Sequence, residues 1–171
     1  MAGNNESEIA IKRLNAAGPA EDIKDKLMLF GQFVGDWDIV ECKNLMQDGS
    51  WKTSKGELHW GWILGGRAVQ DIWTSVGEET PDMGTTVRFY DSGIGAWRST
   101  WISPTQNVVR MFTGNKVGEE IVLETKESST DIMKWIFFNI QGNSFRWRAE
   151  RSNDGGLTWK KTEEMFIIRQ K

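Results

Sequence analysis

From Phe33 onward the chain alternates apolar and polar residues with a period of two, and turn signals break the pattern about every ten residues. A chain written this way makes a succession of short strands. Residues 144–151 are the cleanest case: Phe145, Trp147 and Ala149 fall on one face, Arg146, Arg148 and Glu150 on the other. The same reading places strands at 36–44, 51–60, 68–76, 85–91, 96–102, 108–113, 120–125, 132–140, 144–151 and 159–169. Turns are expected at Gln47-Asp48-Gly49, Gly65-Gly66, Gly114-Asn115, Gln141-Gly142-Asn143 and similar Gly-rich breaks. Strands in strict succession with tight connections form an antiparallel meander, and a meander this long must close to remove its unpaired edges. The expected fold is all-β: a closed antiparallel up-and-down barrel of about eight to ten strands, with an interior able to hold one small ligand.

Ahead of the strands, Ile23, Leu27 and Phe30 are spaced i, i+4, i+7 among charged residues, which predicts a short amphipathic helix over 22–30. Residues 1–20 form a polar N-terminal segment, a loose or short helix closed at Gly18-Pro19. The 171 residues therefore divide into that segment and one barrel domain, 21–171, with its helix as a cap or flank. A net charge of −3 argues against a polyanion-binding surface, so nucleic acid and membrane are not expected partners. The N-terminus has neither a basic nor an apolar leader pattern, and Cys42 alone forms no internal disulfide, so a reducing cytoplasmic location is expected. With His59 the only histidine, sites built on two or more imidazoles are excluded, and no metal or cofactor is expected. No G-x-S-x-G, P-loop or G-x-G-x-x-G sequence is present.

Tryptophan is the compositional anomaly: ten, against one Tyr and eight Phe. Either the core is unusually aromatic or the rings wall a cavity for an organic ligand. Trp97 and Trp101 share a face, and with Trp37, Trp135 and Trp147 they are the candidate cavity wall. In 85–91, Val87 and Phe89 oppose Thr86, Arg88 and Tyr90. Either the first pair fills the core and Arg88 is a surface charge, or Arg88 and Tyr90 face inward and grip an anionic or carbonyl group. Gln70, on a face with Ala68, Ile72 and Thr74, and Asn139, read onto a face with Met133, Trp135 and Phe137, are candidate polar contacts.

The run Phe33-Val34-Gly35-Asp36-Trp37 resembles the Gly-x-Trp signature of the calycin superfamily, which includes lipocalins and fatty-acid-binding proteins. Leu64-Gly65-Gly66-Arg67-Ala68-Val69-Gln70, Phe89-Tyr90-Asp91 and Ser99-Thr100-Trp101-Ile102-Ser103 are similar, in order and spacing, to a bacterial and archaeal branch of lipocalin-like proteins. The resemblance covers residues 31–169 and implies a barrel with a central cavity. It does not imply one activity, because calycins include carriers, haem proteins and a few isomerases and cyclases. The haem-binding relatives use a histidine late in the barrel, where this chain has none. Residues 152–159 also resemble the Asp-box pattern S-x-D-x-G-x-T-W, read here as a structural turn.

Two function classes follow. One is a binding protein for a small hydrophobic or aromatic molecule with an anionic or carbonyl group. The other is a cofactor-independent isomerase, cyclase or hydro-lyase in the same cavity, with His59 and Tyr90, or Glu41 and Asp71, moving protons. A cavity merely filled by Trp is the plainer alternative. Residues 132–140 and 165–168 are apolar on both faces, so the outer face there is expected to be covered, by the N-terminal helix or by a second subunit of a homodimer.

Overall fold

In a computed structural model that describes residues 5–77 and 79–171, the strands alternate inward and outward as the sequence does. Helix α1 (Asn5–Leu14) leads into the two-residue strand β1 (Asn15–Ala16), and a 3-10 turn opens α2 (Lys24–Gly31). Ten strands follow: β2 (Gly35–Leu45), β3 (Trp51–Ile63), β4 (Ala68–Val76), β5 (Met83–Asp91), β6 (Ala96–Ser103), β7 (Val108–Val117), β8 (Glu120–Lys126), β9 (Ile132–Phe138), β10 (Ser144–Ser152) and β11 (Lys160–Arg169). Each pairs antiparallel with its neighbour in sequence, and β11 pairs back onto β2. The result is a closed up-and-down barrel, as the alternation requires. Strand β1 adds to the end of β3, with Asn15 opposite Ile63, just past the point where Gly35 of β2 meets Trp60. No helix among the described residues is long and apolar enough to cross a membrane.

Several expected boundaries move, two of them for a clear local reason. Gly114 does not turn the chain; it lies inside β7, and the reversal comes at Gly118 with φ 60°. A Cβ at Gly114 would sit 1.9 Å from the Val122 carbonyl oxygen, so the missing side chain is what lets β7 and β8 approach. Strand β9 ends at Phe138 because Asn139 adopts φ 49°. Register shifts in β2 and β11 let Ile39 and Cys42 both point inward and stay buried.

One end of the barrel is sealed. Helix α2 buries Leu27 and Phe30, and Phe33 follows it into the core. The Phe30 ring lies 4.8 Å from Trp97, 5.6 Å from Phe137 and 6.5 Å from Trp60. Arg169 fastens the helix to the barrel by donating to the carbonyls of Val34 (3.0 Å) and Gln32 (3.1 Å) while stacking on Trp37.

The outer apolar face near β9 and β11 is covered in part by side chains of the barrel itself. The N-terminal helix does not supply the cover. Arg148 lies over Phe138 (4.6 Å) and Arg146 over Phe166 (4.8 Å), while Ile136, paired opposite Arg148, is 3% exposed.

Because Phe30 touches the cap, the wall and the floor at once, truncating it opens a void that no single neighbour can fill. Phe30→Ala is expected to destabilise the barrel by about 3–5 kcal/mol, read as a lowered urea midpoint with an unchanged slope.

Candidate ligand-binding site

Above the sealed end the barrel holds a cavity of about 470 Å³, within the range of ligand pockets. Trp60, Phe137 and Phe145 separate it from Phe30 and Phe33. Asn44, Lys52, Asp82 and Gln106 line its other end.

Five of the ten tryptophans line this space: Trp60, Trp73, Trp101, Trp135 and Trp147. Four form a continuous wall of edge-to-face contacts, Trp73 to Trp101 at 6.4 Å, Trp101 to Trp135 at 5.8 Å and Trp135 to Trp147 at 5.5 Å. The Trp101 ring lies over Gly84, where a Cβ would come within 2.1 Å of it.

The polar floor is made by β4 and β5. Of the two ways β5 could face, Arg88 and Thr86 point in, and Phe89 is left 43% exposed outside. Arg88 and Asp71 are each 2% exposed. Arg88 Nη1 donates to Asp71 Oδ2, and the Thr86 amide donates to the other carboxylate oxygen at 3.1 Å. The guanidinium stacks 4.5 Å from Trp60 and 5.2 Å from Phe30. Burial pulls Arg88 below its ordinary pKa, against the opposing pull of Asp71.

Among the described residues, three N–H donors of cavity residues are buried without a protein partner: Trp60 Nε1, Trp73 Nε1 and Arg88 Nε. Ser99 Oγ is also buried and unpaired. Buried donors are nearly always satisfied, so three among the residues of one cavity stand out. A second ionisable group, Glu163, lines the cavity and meets the Cys42 thiol at 3.5 Å, while Asn44 donates to that sulfur at 3.3 Å. Burial pushes the Glu163 carboxyl up to about 7. Burial first, and the Glu163 charge second, push the thiol up to about 12. Among the described residues no three His, Cys, Asp or Glu side chains cluster as metal ligands would.

Of the residues singled out from sequence, Asp71, Arg88, Trp101, Trp135 and Trp147 come together here. Trp37 and Trp97 instead belong to the sealed end: Trp37 Nε1 donates to the Phe33 carbonyl (2.6 Å), and Trp97 packs on Phe30. Tyr90 is half-buried beside Trp97 under Lys26, outside the cavity lining. Gln70 faces outward and donates to Thr85 Oγ1 (2.9 Å), and Asn139, having left the strand, is exposed. His59 also lies on the outer face, held by Asp36 (2.7 Å) and Glu57 (3.4 Å), which raise its pKa; acid–base work in the cavity is out of its reach. Glu41 pairs with Lys43 (3.0 Å). The sequence reading missed Trp60, Trp73 and Glu163. The signal was present, since Trp73 alternates with Asp71 and Glu163 with Met165 and Ile167.

No family model and no curated protein matches the chain. Among solved structures it is similar to Rv2717c from M. tuberculosis, with 12% identity and a TM-score of 0.64 over 90% of this chain and 99% of that one. It is also similar to the S-type phycobiliprotein lyase CPES from Guillardia theta, with 10% identity and a TM-score of 0.58 over 84% and 92%. Both are lipocalin-like barrels, and at such identities the likeness is one of fold.

Glu163 makes stability depend on pH in a defined direction. The folded protein keeps its proton up to about 7, whereas the unfolded chain releases it near the ordinary 4.5. Between these values the folded state binds more protons, so this group lowers stability as pH rises from about 4.5 to 7. Glu163→Gln is expected to flatten that part of the profile, measured as urea midpoints from pH 4.5 to 8.

Proposed function

We propose that this chain binds a small molecule in the barrel cavity: a flat aromatic or conjugated compound bearing an anionic or carbonyl oxygen. The observation that supports the reading is the set of donors without a partner among the described residues, Trp60 Nε1, Trp73 Nε1 and Arg88 Nε, beside a wall of indoles. An apolar ring stacks on the indole wall, and its oxygen accepts from donors that otherwise stay unsatisfied inside the barrel. The buried Asp71 partner holds the Arg88 guanidinium in place before any ligand arrives.

Native mass spectrometry of freshly purified protein is the first test, with a co-purified aromatic compound as the expected result. Titration with 1-anilinonaphthalene-8-sulfonate, an anionic aromatic probe, is the second, and tryptophan emission should fall as the probe binds. Replacing Arg88 alone would strand Asp71 as an uncompensated buried charge at a cost of about 3–5 kcal/mol, so the informative variant changes both residues. In Asp71→Asn/Arg88→Met the charges leave together, the volume is nearly kept and the Thr86 amide retains an acceptor. Loss of charged hydrogen bonds worth about 1.5–3 kcal/mol should weaken the probe roughly tenfold or more. Undiminished binding by the folded double variant would remove the floor from the proposal.

A further inference from the structure

Glu163 is the ionisable cavity residue that an oxygen-accepting floor leaves unused. It lies opposite Ala149 of β10 and Asn44 of β2, and Asn44 lies opposite Lys52, so Glu163 is on the mouth side of the cavity. Arg88 is at the far end, stacked on Phe30 of the plug. The other charged cavity groups facing this space have partners or are out in solvent. Arg88 holds Asp71, Arg110 of β7 reaches Glu127 at 3.4 Å, Asp82 accepts from Thr105 and Gln106, and Lys52 of β3 is exposed. Among the described residues Glu163 meets only the Cys42 thiol of β2, and no cation bears on it. Beside it on the wall, Trp147 of β10 is paired across from Met165 and lies 5.5 Å from Trp135.

A partly buried carboxylate on the same wall as indole rings is an arrangement that holds an organic cation. Resting on the reading of the cavity as a binding site, the geometry points to a second recognition pole: Glu163, with Trp147 and Trp135, takes a basic nitrogen of the ligand. The ligand class is then an aromatic compound with an oxygen acceptor at the floor and a protonated amine or N-heterocycle toward the mouth. Glu163 must ionise to hold that cation, so the affinity is gated by pH. With a carboxyl held at about 7, the ionised fraction grows about tenfold between pH 6 and 8.

Two probes separate this pole from the cavity itself: 9-aminoacridine, a flat cation across that pH range, and N-phenyl-1-naphthylamine, a flat neutral molecule. Both are titrated by fluorescence into the wild type and Glu163→Gln at pH 6 and 8. The expected result is that wild-type affinity for 9-aminoacridine rises several-fold from pH 6 to 8. The preference for 9-aminoacridine over the neutral probe should fall tenfold or more in Glu163→Gln, and its pH dependence should vanish. If the neutral probe binds while that preference is the same in both proteins, the second pole is overturned and the cavity reading stands. If neither probe binds either protein, both are overturned.

Discussion

Placing a guanidinium and a carboxylate together inside a barrel is costly, because each ion gives up its water at an effective penalty of several kcal/mol. Arg88 and Asp71 meet that cost by geometry: a direct charged hydrogen bond, the Thr86 amide on the second carboxylate oxygen, and the ring faces of Trp60, Phe30 and Phe137 around the cation. The arrangement fixes which way β5 faces, because turning Arg88 outward would leave Asp71 buried without its counter-ion. It also ties the plug to the floor, since Phe30 belongs to both. Among the described residues Arg88 Nε is buried without a partner.

The tryptophans show how depth along the barrel decides the role of one residue type. Toward α2 the interior is filled: Phe30 and Phe33 enter from the cap, and Trp37 and Trp97 close around them with the Trp37 N–H satisfied by a backbone carbonyl. Beyond that plug no element of the described chain enters, and the indoles become walls that touch one another edge to face. A core of Trp and a Trp-lined cavity are thus both present, one above the other.

The meander and its closure were legible because alternation and turn residues are local signals, and the register they set repeats from strand to strand. The inward set of β10 could be read directly. The direction of β5 could not, because Val87 and Phe89 make as good a core pair as any, and what overrides them is Asp71, seventeen residues earlier in sequence and visible only once β4 lies beside β5. Gln70 and His59 sit on faces that alternation assigns correctly but whose direction depends on the same unseen pairing. Asn139 failed for another reason: a strand that looks continuous to Ile140 ends at Phe138, because Asn139 leaves it through a single backbone angle. Glu163 was overlooked because its neighbours Lys160, Lys161 and Glu164 make the start of β11 look uniformly solvated.

The most direct measurement of the central claim is an NMR correlation spectrum of the tryptophan Nε1–H and arginine Nε–H groups, recorded as 1-anilinonaphthalene-8-sulfonate is added. The account predicts that the signals of Trp60, Trp73 and Arg88 move together as unpaired donors meet an acceptor, while Trp37, already bonded to Phe33, stays in place. Movement of Trp37 with Trp60, Trp73 and Arg88 unmoved, in a sample where the probe is bound, would contradict it.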